Sequence, residues 1–110
     1  MKGKIVLVPF PFTDLTASKL RPALVIHEGE KDVIVAFISS KIPETISEYE
    51  AVVRKSHPEF KYTGLKVDSI IRLDKVATIL KDLVIGELGE IGDILKQEIN
   101  EKLEKIFRFK

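Results

Sequence analysis

The sequence predicts a mainly β domain: a small curled sheet, or partly open barrel, of five or six short strands with one helix packed on it. Three observations lead there. Short runs rich in Val, Ile and Phe recur between breaks of Pro, Gly and Ser as far as Leu88. The stretch 68–79 (DSIIRLDKVATI) alternates with period two, the pattern of a half-buried strand. From Ile91 the apolar spacing changes to three and four, which is a helical stripe.

The elements follow in order. Residues 5–8 (IVLV) form the first strand. Pro9 and Pro11 limit it, because proline removes a ladder donor and marks an edge or an exit. Phe10 and Phe12, two apart, are expected to cover the core. Residues 13–20 (TDLTASKL) read as a polar loop that Lys19 and Arg21 close. Residues 23–26 (ALVI) are a second strand, and 27–31 a turn with Gly29 at a positive φ. Residues 33–38 (VIVAFI) are apolar on both faces, hence a central strand, and Ser39 and Ser40 end it.

Residues 41–48 read as loop. Tyr49, Ala51 and Val53 then alternate with Glu50, Val52 and Arg54 in a short fourth strand. Residues 55–66 form a second long loop. In the strand 68–79, Ile71, Leu73, Ala77 and Ile79 are expected on one face, interrupted by Lys75. Ile70, Arg72, Asp74, Val76 and Thr78 are expected on the other. Residues 80–83 turn, and 84–88 are a short last strand weakened by Gly86. Ile91, Ile94, Leu95, Ile99, Leu103, Ile106 and Phe107 make the stripe of a helix at about 90–108. Asp93 near its start and Lys105, Arg108 and Lys110 near its end suit the helix dipole.

Composition narrows the function. At 110 residues the chain fits a single domain, 1–110. A domain of this size buries roughly 65% of its unfolded surface and needs no staple. There is no Cys, which removes disulfides and thiolate metal sites. Two His without clustered ligands argue against a metal enzyme, and no cofactor is expected. Apolar runs stay far below ~18 residues, and Lys2 and Lys4 precede no leader-like core, so a soluble cytoplasmic protein without a membrane partner is expected. Net charge is +1, yet residues 1–81 hold 13 Lys/Arg against 10 Asp/Glu, so the basic excess lies in the body. That permits a local anion site.

The candidate site comes from polar groups where strands end or alternate outward. Arg21 follows the first loop, Ser39 and Ser40 end the third strand, and Arg72 and Asp74 share a face. Two guanidinium groups match phosphate bidentately and stay charged. Asp74 suits a base for a ribose 2′-OH, arginine suits charge growing on phosphorus, and Ser39 suits a donor to a phosphate oxygen. Plainer readings stand beside these. Arg72 and Asp74 also fit an exposed ion pair. Arg21 fits a loop cation, and Ser39 fits a hydroxyl that satisfies strand-end backbone. His27 and His57 sit at a turn and before a proline, poor places for acid–base work.

Several stretches together resemble the MazF/PemK toxin family. They are GKIVLVPF from Gly3, KLRPALVI from Lys19, FISS from Phe37 and DSIIRLDKVATI from Asp68, in that order, with the tail helix after them. The resemblance implies an SH3-like β-barrel with a C-terminal helix that forms homodimers. It implies a metal-independent endoribonuclease toxin of a type II toxin–antitoxin pair, cleaving single-stranded mRNA to a 2′,3′-cyclic phosphate and a 5′-OH. Its partners would be mRNA, a cognate antitoxin and, through the antitoxin, operator DNA. Carried over, Arg21 acts at the phosphate, Ser39 stands where a catalytic threonine is usual, and Arg72 and Asp74 are acid and base. Lys19, Ser40 and Lys41 fall beside these as RNA-binding candidates. The loop 13–19 lacks the family's glycine, and Ser39 lacks the threonine methyl that stiffens χ1. A non-catalytic toxin of the gyrase-binding CcdB type, or a co-repressor of the same fold, is the alternative. The CcdB type uses a tail with Trp, and this chain has none.

Overall fold

The computed structural model describes residues 1–10 and 19–110. Six antiparallel strands form one curled sheet in the order β4-β5-β3-β2-β1-β6. They are β1 (Lys4–Phe10), β2 (Lys19–Glu28), β3 (Asp32–Ser39), β4 (Glu50–Val53), β5 (Ser69–Leu80) and β6 (Gly86–Glu90). The described residues also form two α-helices, α1 (Phe60–Thr63) and α2 (Asp93–Phe107), and a 3-10 turn at Lys81–Leu83. The strands-then-helix reading therefore holds. Phe12 and most of the expected first loop lie outside the described residues.

Alternation places a core on each face of the sheet. On the helix side, Ile5, Leu24, Ala36, Ile38, Ala51 and Leu73 pack against Ile91, Leu95 and Ile99. On the other, Val6, Val8, Val25, Val33, Val35 and Ile79 pack together. This is why residues 33–38 are apolar throughout: β3 lies between β2 and β5 and is buried on both faces. The prolines also fall where a ladder donor is dispensable. Pro9 pairs with β2 alone, because β6 follows β1 only over Lys4–Leu7. Pro22 pairs with β1 alone, because β3 joins β2 only from Ala23 onward.

The expected single alternation along β5 does not hold. Ala36 pairs with Val76, but its neighbour Phe37 pairs with Arg72. Leu73, Asp74 and Lys75 thus form a bulge opposite one step of β3. Ile71 and Leu73 join the helix-side core, whereas Ala77 and Ile79 join the opposite one. The backbone N–H of Leu73 donates to the carbonyl of Tyr49 at 3.1 Å, tying the bulge to the chain entering β4.

Other differences are local. Phe10 is exposed, and its ring meets Phe37 edge-on at 5.7 Å instead of covering the core. Gly29 is not at a positive φ. A Cβ there would stand 3.3 Å from the carbonyl oxygen of Asp32, so closeness selects glycine. The loop expected over 55–66 contains α1, too short to show a helical period. The last strand begins two residues late, at Gly86. Gly64 (φ +72°) and Gly89 let the end of α1 and β6 meet backbone to backbone, with no room for a Cβ on either. On α2, Ile94 and Phe107 are exposed, leaving Leu95 and Ile99 as the buried pair of the stripe.

The start of α2 is capped from a distance. Gly92 is its N-cap and has no side chain to offer. The Glu59 carboxylate, buried just before α1, accepts the backbone N–H groups of Ile94 at 2.9 Å and Leu95 at 2.8 Å. This places an anion at the positive end of the helix dipole and satisfies two of its orphan donors. Gly92 is glycine because a Cβ would collide with that carboxylate. Glu59→Ala is expected to destabilise the fold by about 1.5–3 kcal/mol, the range for hydrogen bonds to a charged group. Urea unfolding checks this, and a change within about 0.5 kcal/mol, as for a neutral surface site, would remove the cap from the account.

Candidate functional site: a cationic cavity at the parting of β2 and β3

Over Lys19–Pro22, β2 has left β3 and follows β1 alone. A cavity of about 760 Å³ lies there. Arg21 and Pro22 line it from β2, Phe37, Ser39 and the following Ser40 from β3, and Arg72 from β5. The loop after α1 supplies Lys66 and Val67, and the β5 bulge supplies Lys75. Among the described residues, the lining holds four cations and no carboxylate. The rest is largely apolar, with Phe10, Phe37, Leu65 and Leu88.

The structure thus gathers Arg21, Ser39, Ser40 and Arg72 at one cavity. It does not bring Asp74 into the lining. Asp74 is exposed in the bulge, and its charge is felt at Tyr49. The Tyr49 phenol is held above its usual pKa, first by a hydrogen bond and charge from Glu48, then by burial and by Asp74. Lys19 pairs with Phe10 and Lys41 follows Ser40, but neither lines the cavity. His27 lies on β2 opposite Ile34. His57 accepts the N–H of Glu59 through Nδ1 at 2.9 Å, a loop-fixing bond. Both are outside the cavity.

Two side chains combine a structural bond with a free capacity. Ser39 Oγ accepts the backbone N–H of Lys41 at 3.0 Å, which fixes the hydroxyl at the strand end. Its own proton remains available to a ligand oxygen. Arg72 sits directly opposite Glu50 across the β4–β5 ladder, with Nε 3.8 Å from Oε2. That gap is an ion pair without a hydrogen bond. The buried Nε has no hydrogen-bond partner among the described residues. Glu50 is itself fixed, because its Oε1 accepts the N–H of Ser47 at 2.9 Å. The carboxylate facing Arg72 is therefore Glu50 rather than Asp74.

A profile of the PemK-like, MazF-like toxins of type II toxin–antitoxin systems matches residues 1–107. The chain belongs to that family. Its fold is similar to that of a Mycobacterium tuberculosis MazF toxin, at 18% identity and a TM-score of 0.73 over 94% of this chain and 95% of that one. It is similar to an endoribonuclease from a mycobacterial species, solved in complex with its cognate antitoxin, at 18% identity and a TM-score of 0.71 over 100% of this chain and 98% of that one. MazE–MazF from Deinococcus radiodurans gives 18% identity and a TM-score of 0.68 over 96% and 92%. No curated protein matches the sequence.

Sequence reasoning about this MazF-like chain missed Glu50, Lys66 and Lys75. Lys75 looked like an interruption of an apolar face, and that interruption was the signal of the bulge. Glu50 stood in the fourth strand with nothing in the sequence to place it opposite Arg72. Lys66 sat in a stretch without a period. Because the Arg72 side chain is 37% exposed, its pairing with Glu50 adds little to stability. Glu50→Gln is accordingly expected to cost less than about 1 kcal/mol in urea unfolding, as for a surface ion pair. It should also raise the affinity for inorganic phosphate, since a carboxylate is lost beside the cations. A weaker phosphate affinity in the variant would instead make Glu50 a support that Arg72 needs.

Proposed function

We propose that the chain is an endoribonuclease toxin that holds single-stranded RNA in the β2–β3 cavity and cleaves it by attack of a ribose 2′-OH. The observation that supports this most is the lining, where Arg21, Arg72 and Ser39 meet at one cavity with no carboxylate among the lining residues, Glu50 standing beside Arg72 outside it, in a chain of the MazF-like toxin family. A phosphodiester is an anion that such a set holds. Guanidinium groups neutralise its charge in the ground state and more strongly as charge grows on the equatorial oxygens. The 2′ oxygen bonds to phosphorus as its proton passes to solvent water, the bond to the 5′ oxygen breaks, and the 5′ oxygen takes up a proton from water. The products are a 2′,3′-cyclic phosphate and a 5′-OH, and no metal is required.

The base is the part of this reading that departs from expectation. A general base comes within about 2.6–3.2 Å of the oxygen whose proton it takes, or reaches it through one water. Asp74 lies outside the lining, so the reading assigns the larger share of catalysis to charge stabilisation by Arg21 and Arg72. Arg21→Ala and Arg72→Lys are expected to lower cleavage of a mixed-sequence RNA by about 10²–10³-fold, the scale of losing one electrostatic donor. Asp74→Asn is expected to lower it less than 10-fold, below the usual general-base contribution of about 10²–10⁴. RNA with 2′-deoxyribose at the cut position should resist, and EDTA should leave the rate unchanged. Products with a 5′-phosphate would overturn the mechanism. Binding without cleavage would favour a non-catalytic toxin.

The same reading carries two partners. A homodimer would extend each small cavity into a shared groove about a two-fold axis. An acidic segment of an antitoxin would occupy the phosphate positions and order on binding. One structural neighbour is described as an endoribonuclease in complex with its cognate antitoxin. Light scattering at micromolar concentration is expected to report twice the mass of the 12.4 kDa chain. A monomer throughout that range would remove the shared groove.

A further inference from the structure

The cavity holds more cation than one phosphate needs. Two arginines, Arg21 and Arg72, suffice to bracket a single phosphodiester of charge −1. Lys66 and Lys75 line the same space. Among the described residues, neither lysine is in an ion pair. The whole chain carries only +1. The cavity lining thus holds four cations and no carboxylate, three of the cations outside any ion pair among the described residues, in a chain whose charges nearly balance.

Both lysines are on fixed backbone. Lys75 belongs to the bulge whose register is set by Phe37↔Arg72 on one side and Ala36↔Val76 on the other. Lys66 belongs to a loop tied at three points. Leu65 N–H donates to Thr63 Oγ1 at 3.1 Å, Ser69 Oγ donates to the Val67 carbonyl at 2.8 Å, and Asp68 Oδ1 accepts the Lys55 N–H at 2.7 Å. Gly64 against Leu88, and Gly89 against Tyr62 and Thr63, hold the start of that loop close to β6. The cavity volume, about 760 Å³, lies in the upper part of the range for ligand pockets. Its apolar lining suits the faces of sugars and bases between charged ends.

We propose that Lys66 and Lys75 form a second phosphate subsite, which holds the phosphodiester next to the one between Arg21 and Arg72. The smallest well-held ligand is then a trinucleotide, with two phosphodiesters, and a dinucleotide fills only the arginine subsite. Lysine suits this neighbouring position, where a phosphate must be held but no charge develops, because it acts as a point charge on a flexible stem. This rests on the proposal that the cavity binds nucleic acid strands, and it adds the length and spacing of the bound segment.

The test uses 2′-deoxy oligonucleotides of mixed sequence without terminal phosphates, which lack the nucleophile and cannot be cleaved by 2′-OH attack. Their affinities for the full chain are measured by calorimetry across a salt series. The trinucleotide is expected to bind about 3–10-fold more tightly than the dinucleotide. Its salt slope should be steeper by about 0.7, the value for one further phosphate on a single strand. Lys66→Gln with Lys75→Gln should abolish that gain and leave dinucleotide affinity within about twofold. Equal affinities for the two oligonucleotides in the unaltered protein would overturn the subsite. An equal loss for both oligonucleotides in the double variant would overturn it too, by showing a general field effect. Failure of every oligonucleotide to bind would remove the strand-binding reading itself. A melting curve confirms that the double variant is folded.

Discussion

The register break between β3 and β5 is the constraint on which the site depends. Phe37 and Ala36 are neighbours, but their partners Arg72 and Val76 are four residues apart. The extra residues change which side of the sheet β5 presents. Before the break, Ile71 and Leu73 serve the core under α2, and after it Ala77 and Ile79 serve the other core. β1, β2 and β3 feed both cores by alternation, whereas β5 feeds them with residues of the same parity because the bulge turns it over. The cost is a short segment, Leu73–Asp74–Lys75, that pairs with neither β3 residue. Its Asp74 stands in solvent and its Lys75 lines the cavity.

The second ingredient is the early parting of β2 from β3. Pro22 cannot donate to a ladder, and β3 joins β2 only at the next residue. Arg21 consequently projects where the sheet has opened, beside the end of β3 with Ser39 and Ser40. Packing and function thus share their residues. The proline that ends pairing sits next to an arginine, and the bulge that feeds two cores delivers a lysine. The end of α1 is held against β6 by Gly64 on Leu88 and Gly89 on Tyr62 and Thr63, and the start of α2 is held by Glu59. A nearly charge-balanced chain thereby gathers four cations around one cavity, where their fields add on an anion.

Much of this was legible in the sequence. Strands and terminal helix follow from the periods of two and of three to four, and the central place of β3 follows from its unbroken apolar run. Arg21, Ser39 and Arg72 were legible as a set because strand ends and outward positions present polar groups to solvent. What failed was whatever depends on long-range register. Arg72 and Asp74 were read as one pair, but Asp74 is exposed in the bulge outside the cavity lining, and the carboxylate facing Arg72 is Glu50. Glu50 is 22 positions before Arg72 in the sequence and directly opposite it in the ladder. The capping of α2 by Glu59 likewise joins segments more than thirty residues apart. Local spacing carries no information about such pairs.

The most direct measurement is an NMR titration that follows the arginine Nε–H resonances of the full chain as a 2′-deoxy hexanucleotide is added at low salt. The four arginines are distinct reporters: Arg21 and Arg72 line the cavity, whereas Arg54 pairs with Asp68 and Arg108 with Glu104. The account expects the Arg21 and Arg72 resonances to shift together and saturate with one affinity, while Arg54 and Arg108 stay in place. A shift of all four alike, or an unmoved Arg72, would contradict the claim that the parting of β2 and the β5 bulge build one anion site.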